Sequence, residues 1–325
     1  MHRTVAAVVL SIVCAGLLLP TADAAERWPS RPLRMIHGFT TGGNVDITAR
    51  LVGATLADAL GQQVVVDTRP GAGGTIAAAL VAKAEPDGYT LFLMASGHAA
   101  SPGLYRKLPY DPVGDFTLVS LVASFPFLIA TGPTATVQSV GDLVRVGRAE
   151  PGKLLYATAG VGTGMHLASV LFQARTGAQL NHVPYKGGTN TPMGVVQGEV
   201  PMMFGTPAEV RPHVESGRMK LLAVTTARRW ERWPDVPTIA ETVSPDFDVS
   251  GWLAVAGPKG LPPPVVERLS GIILAALKRA DVQERLAQMG TLVTPVGPRE
   301  SQRFVAAEVA RWTKLIRDEK IPPQN

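Results

Sequence analysis

Two glycine-rich segments early in the chain carry the residue types best suited to chemistry. The first is Phe39-Thr40-Thr41-Gly42-Gly43-Asn44-Val45-Asp46, closing on Arg50; the second is Asp67-Thr68-Arg69-Pro70-Gly71-Ala72-Gly73-Gly74-Thr75. Each follows a short apolar run, Leu33–His37 and Val64–Val66, and precedes an alanine-rich helical pattern. A strand that turns through glycines into a helix leaves backbone N–H groups free at the helix start, where the helix dipole also favours negative charge. The chemistry implied is the holding of a small anion. Ala159-Gly160-Val161-Gly162-Thr163-Gly164 repeats the pattern ahead of a helix that includes His166.

Other chemistries find less support. Gly71–Thr75 lacks the Lys-Ser/Thr of a nucleotide P-loop, and Gly160–Gly164 lacks the third glycine and the later acidic residue of a dinucleotide fingerprint. Ser96-Gly97-His98 lacks the leading glycine of a nucleophile elbow. The alternatives to a carboxylate-binding transport receptor are an exported α/β hydrolase or transferase in which Ser96, His98 and His166 converge, a binding protein for another anion, and a co-receptor for a sensor. The histidines are scattered, with no His-Glu-x-x-His pair, so no metal site and no cofactor is expected. Asp46, in the first turn of its helix, reads as a complement to the dipole and as an i,i+4 partner of Arg50 as well as a candidate contact.

The elements that position these turns alternate strand and helix, which argues for a parallel sheet with helices on both faces. Leu118–Ala130 is apolar but holds Pro126, so two strands joined near Ser124–Pro126 are expected, at a crossing between lobes. A second α/β series follows, with strands at Leu154–Thr158, Leu180–Val183, Pro201–Phe204 and Lys220–Thr225, and Val249–Ala256 returns to the first lobe. Apolar stripes in Pro263–Leu277 and Gln302–Asp318 are core faces. Of the 325 residues, 46% are hydrophobic, enough for two cores.

The N-terminus reads as an export leader over residues 1–24: an apolar run from Val5 to Leu19, then Ala22-Asp23-Ala24 as a cleavage site. The single cysteine, Cys14, lies inside that run, so the mature chain would have neither a disulfide nor a thiol. The net charge of +5 comes from scattered basic residues, which does not suit nucleic acid. About 300 mature residues fit two domains: lobe 1 from 25–124 plus 251–325, and lobe 2 from 125–250.

Along the mature length the chain resembles the substrate-binding receptors of tripartite tricarboxylate transporters, the Bug-type receptors. The resemblance rests on ordered motifs: Trp28-Pro29-Ser30-Arg31-Pro32, the first glycine turn through Arg50, Arg69-Pro70-Gly71-Ala72-Gly73-Gly74, Pro86-Asp87-Gly88-Tyr89, Leu108-Pro109-Tyr110-Asp111, His182-Val183-Pro184-Tyr185-Lys186-Gly187, Leu222-Ala223-Val224-Thr225 and Asp235-Val236-Pro237-Thr238. It implies a two-lobed, type II-like periplasmic binding protein, each lobe a mainly parallel sheet flanked by helices, closing on a small mono-, di- or tricarboxylate. It implies a non-catalytic monomer that meets integral-membrane transporter subunits transiently. The implied ligand contacts in the first lobe are Phe39, Thr40, Thr41, Gly42, Gly43, Asp46, Ser96 and Gly97. Those in the second are Thr158, Gly160, Gly162, Thr163, Gly164, His166, Tyr185, Gly187, Gly188, Phe204, Gly205 and Thr206. His37-Gly38, Thr40-Thr41, Asn190, Gly194 and Gly205-Thr206 depart from the family pattern. The last pair removes an acidic residue from the expected pocket, so an amine-bearing ligand is not expected to be preferred.

Overall fold

A computed structural model describes residues 28–187 and 189–323. The expected leader with Cys14, and Gly188, lie outside the described residues. The chain first lays down β1 (Leu33–His37), α1 (Asn44–Leu60), β2 (Val64–Thr68), α2 (Thr75–Ala82), β3 (Thr90–Ala95), α3 (Gly97–Leu104) and β4 (Phe116–Pro126). It then builds a second series: β5 (Leu128–Thr131), α4 (Val140–Ala149), β6 (Leu155–Thr158), α5 (Gly164–Thr176), β7 (Asn181–Pro184), α6 (Asn190–Val196), β8 (Met202–Gly205), α7 (Pro207–Glu215), β9 (Lys220–Val224) and α8 (Ile239–Thr242). It returns through β10 (Ser250–Pro258), α9 (Pro263–Ala276), α10 (Ala280–Gln288), β11 (Leu292–Val296) and α11 (Pro298–Asp318).

These strands make two sheets, ordered β11-β4-β10-β3-β1-β2 and β7-β6-β8-β5-β9. Both are mixed. β1 pairs parallel with β2 and β3, whereas β10 runs antiparallel to β3 and β4, and β11 antiparallel to β4. In the second sheet β6 is parallel to β7 and β8, and β5 is antiparallel to β8 and β9. The strand–helix alternation accounts for the parallel pairs. The antiparallel ones come from strands that cross between the sheets, so "mainly parallel" does not describe either sheet.

The break expected near Pro126 is present: β4 ends there and Phe127 separates it from β5. At this crossing Thr225 ties the two connecting segments together. Its hydroxyl accepts from Phe127 N–H at 2.9 Å and donates to the Val249 carbonyl at 2.6 Å. Its own N–H bonds the Phe127 carbonyl at 3.0 Å, and its carbonyl accepts from Val249 N–H at 2.9 Å.

Each sheet is covered by the apolar faces of its helices. α1 buries Val45, Ala49, Val52 and Leu56 fully, a stripe offset from the Ile47–Leu51–Thr55 line that the sequence spacing suggests. β1, β2 and β6 each run into one of the three glycine turns, so the sheets set where those turns stand.

Candidate functional site

The first turn is braced by side chains so that part of its backbone stays unused. Asp46, 3% exposed, accepts from Gly42 N–H at 3.1 Å and from Arg50 Nε and Nη2, each at 3.0 Å. His37, fully buried, donates from Nε2 to Asp46 Oδ1 at 3.3 Å and accepts Phe39 N–H on Nδ1 at 3.4 Å. That pattern fixes the neutral tautomer protonated on Nε2. Burial pushes the His37 pKa below its ordinary value, more than Asp46 raises it. Burial alone would push Asp46 up, but the Arg50 guanidinium and the Gly42 N–H outweigh it and hold the carboxyl below its usual range. The first internal bond of α1 runs from Ile47 N–H to the Gly43 carbonyl, and Gly43 caps the helix without a side chain. The N–H groups of Asn44 and Val45 therefore have no acceptor within the helix.

The second first-lobe contact is the start of α3. Ser96 N–H is bonded to the Trp252 carbonyl at 3.0 Å, and Ser96 gives the helix no side-chain cap. His98, next in line, points away from this chemistry: Nε2 lies 2.8 Å from the Pro112 carbonyl and the ring stacks on Tyr110. Burial takes its pKa down to about 4.

In the second lobe the turn from β6 to α5 is tied internally. Gly160 N–H bonds Thr158 Oγ1 at 3.1 Å, and Thr163 Oγ1 donates to the Gly160 carbonyl at 2.7 Å. Gly162 N–H bonds His166 Nδ1 at 3.3 Å, and His182 Nε2 stands 2.7 Å from Thr158 Oγ1. His166 stacks on His182 with ring centres 4.6 Å apart. Burial takes both to about 4, His166 helped by its neighbour. Among the described residues no hydrogen bond joins Ser96 to His98 or His166, and no group of His, Cys, Asp and Glu side chains could hold a metal.

The turns of the two lobes meet. A Cβ added to Gly73 would stand 2.6 Å from the Gly162 carbonyl carbon and oxygen, and one on Gly97 would stand 2.6 Å from that same oxygen. Behind this contact is a cavity of about 40 Å³, against roughly 10–15 Å³ needed for one water. Phe39, Thr40, Gly43–Val45 and Ala95–Gly97 wall it from the first lobe. From the other side come Ala159, Gly164, Met165, Gly187, Thr206 and Glu209, with Phe125 and Phe127 at the crossing. Phe39, Thr40 and Ala159 also line a wider chamber of about 430 Å³, walled by Pro70–Gly73, Gly160, Val161, Thr163, Tyr185 and Lys186. Among the described residues no Lys, Arg or His lines the inner cavity.

Of the residues singled out in the sequence, Phe39, Thr40, Gly43, Ser96, Gly97, Gly164, Gly187 and Thr206 line the inner cavity, and Gly160, Thr163 and Tyr185 the outer chamber. Thr41 and Gly42 belong to the first turn but line neither. Asp46, Thr158, Gly162 and His166 hold the turns from behind, as described. Phe204 is fully buried against Tyr156 and Phe172, and Gly205 packs under Met203 and Val210. Asn44 and Glu209 were not singled out as contacts. Asn44 is inside the first glycine motif, and Thr206-x-x-Glu209 is a legible helix-start signature. Glu209 Oε2 accepts from Thr206 N–H at 2.8 Å and from its hydroxyl at 2.9 Å, and burial pushes its pKa up. The pocket therefore does carry an acidic side chain, contrary to the expectation drawn from Gly205-Thr206.

Two α/β lobes that close glycine turn on glycine turn over a cavity walled by helix starts define a periplasmic-type solute-binding receptor. The family model for the tripartite tricarboxylate transporter family receptor matches residues 48–321. The chain belongs to that family. Among solved structures it is similar to Rpa4515 of R. palustris with adipate, at 36% identity and a TM-score of 0.86, covering 91% of this chain and 100% of that one. It is similar to the periplasmic binding protein BugD, at 32% and 0.86 over 91% and 100% of the two chains. It is also similar to MatC of Rhodopseudomonas palustris with bound malate, at 31% and 0.84 over 89% and 99%.

Proposed function

We propose that this protein is a non-catalytic receptor that captures a small carboxylate between its lobes and passes it to the integral-membrane subunits of a tripartite tricarboxylate-type transporter. It works in the periplasm as a monomer, after loss of the leader at residues 1–24, with lobe 1 drawn from both chain ends.

One observation carries the reading: the starts of α1, α3 and α5 converge on one cavity with no cationic side chain in its wall among the described residues. An anion there is met by backbone N–H groups and three aligned helix dipoles. Because the donors come from both lobes, a carboxylate completes its bonds only when the lobes are closed. That difference in affinity is what draws the equilibrium to the closed form. The adipate and malate held by the two similar proteins fit this chemistry. Among the described residues, the hydrolase alternative has neither histidine hydrogen-bonded to Ser96: His98 Nε2 is bonded to the Pro112 carbonyl, and His166 Nδ1 accepts from Gly162 N–H.

The test is thermal stabilisation of the refolded mature protein by mono-, di- and tricarboxylates, with sugars and nucleotides as controls. A ligand at 100 times its Kd adds about 2.7 kcal/mol, a shift of several degrees. A shift confined to carboxylates supports the receptor; a shift with sugars or nucleotides alone, or turnover of a carboxylic ester, overturns it.

A further inference from the structure

Away from the cavity, one ion pair ties a helix of the second sheet to a helix of the first. Arg175, in the last turn of α5, places Nε 2.5 Å from Glu319 Oε1, just past the end of α11. α5 packs on β8 of the second sheet, whereas α11 packs on α3 and β4. Among the described residues every other ion pair lies within one lobe.

α11 by itself does not favour Glu319 at that place. A carboxylate at the C-terminal end of a helix meets the negative end of the dipole, whereas a cation such as Arg175 suits the end of α5. What Glu319 gains there is the guanidinium of the opposite lobe. The chain holds it in position: Ile321 is 6% exposed, and its N–H bonds the Ile316 carbonyl at 2.9 Å.

The pair stands on the side where the lobes meet. Ile316, just before Glu319, packs against Gly103 near the end of α3, where an added Cβ would lie 2.7 Å from its Cδ1. Two residues on, the Tyr105 hydroxyl lies 2.5 Å from where a Cβ on Gly162 would stand, the same Gly162 that meets Gly73 and Gly97. Arg175 is eleven residues along α5 from Gly164, about 16 Å from the cavity wall at 1.5 Å per residue. Neither Arg175 nor Glu319 lines the inner cavity or the outer chamber.

Resting on the receptor reading above, we infer that Arg175 and Glu319 form a latch that favours the closed form without touching the ligand. Opening the lobes parts the two charges into water, so the pair stabilises the closed form alone. It therefore multiplies the affinity for every ligand by one common factor. The two side chains are 39% and 22% exposed, so water weakens the attraction and the factor is about two- to fivefold. Salt screens such a pair, so the latch loosens as ionic strength rises.

The test compares wild type, Arg175→Gln, Glu319→Gln and the double variant by calorimetry with succinate, malate, adipate and citrate. Both positions are partly exposed, so the variants fold. Each single variant weakens every acid that binds by the same factor of about two to five. The double variant loses no more than a single one, because one interaction is removed in each case. The gap from wild type closes between about 0.05 M and 1 M salt. Lobe separation is read independently. The only cysteine is Cys14 in the expected leader, so single-molecule FRET between dyes on Lys83→Cys and Ala149→Cys, both exposed, gives the closed fraction of all four proteins. Wild-type affinity in the single variants, losses that add in the double, losses that differ between acids, or a gap indifferent to salt overturns the latch and leaves the receptor reading intact. If no acid binds, the receptor reading falls, and the latch is decided by the closed fraction of the empty proteins: a lower fraction in both single variants supports it, and an equal fraction in all four overturns both.

Discussion

Gly73 and Gly162 touch backbone to backbone across the cleft. A side chain on Gly73 would begin 2.6 Å from the Gly162 carbonyl oxygen and 2.9 Å from its Cα, which no rotamer can relieve. Gly73 also has φ +62°, a conformation that costs a residue with a Cβ about 1–2 kcal/mol. Gly73→Ala is expected to fold and to stay open. Its apparent affinity for carboxylate falls by about tenfold or more, because the binding-competent form becomes rare. Titration calorimetry reads the loss, and solution X-ray scattering with saturating ligand shows whether the wild-type compaction is gone.

Thr225 makes a separate prediction about the crossing. It is fully buried, and its hydroxyl serves Phe127 N–H and the Val249 carbonyl at once. Thr225→Val preserves shape and strands both groups, at a cost of about 2–4 kcal/mol. Thr225→Ser keeps the hydroxyl and is expected to cost far less. Urea unfolding of the three proteins checks the order.

Asp46 is expected to matter through the turn rather than by touching ligand. Asp46→Asn gives up the ion pair with Arg50 and leaves either Gly42 N–H or the buried His37 Nε2–H without its acceptor. Arg50 is 56% exposed, so the ion pair itself contributes little, and the stranded donor sets a loss of about 1–3 kcal/mol. Affinity falls as well, since the first turn loses its anchor. Arg50→Ala should lower affinity in the same direction and non-additively with Asp46→Asn, which a double-mutant cycle measures.

Acid should destabilise the protein before its carboxylates are protonated. His98, His166 and His182 are held near 4 when folded and titrate near 6.5 when unfolded. Between those values the unfolded chain takes up protons that the folded chain refuses. Stability is therefore complete above about pH 6.5 and falls as pH drops toward 4. The fully enclosed His98 alone accounts for about 3 kcal/mol over that window. Melting curves from pH 7 to pH 4.5 show the slope, and His98→Gln should flatten it. A slope unchanged in that variant would contradict the assignment.

The turns and the strand–helix alternation were legible because glycine positions and periodicity are local signals. Three features were not. α3 reads Gly97-His98-Ala99-Ala100-Ser101-Pro102-Gly103-Leu104, with two glycines and an internal proline, a poor helix by propensity. It forms because Ala99, Ala100 and Leu104 are buried in a helix that packs chiefly against α11, so Ser96-Gly97 reads in the sequence as a candidate contact but not as a helix start. β11 holds Pro295 and is tolerated because it is the edge strand beside β4. The direction of β10 depends on where the chain re-enters the first sheet, which no local pattern records. At the site, Asn44 reads as a helix cap, whereas Gly43 occupies that place and Asn44 Oδ1 accepts from the Thr291 hydroxyl instead. Glu209 is legible as part of a helix start, but its place in the wall is set by tertiary packing.

The glycine-to-glycine closure has an evolutionary consequence. On the function proposed above, charge is met by main chain, which substitution cannot delete, while the ligand's remaining features are met by a few side chains on the same wall. In the proposed receptor, drift among the side chains of the wall can retune what is captured without disturbing how the lobes shut, whereas drift at Gly73, Gly97 or Gly162 holds the lobes apart and weakens capture of every ligand. The lineage of such a receptor can therefore change diet by single steps while its jaw stays fixed.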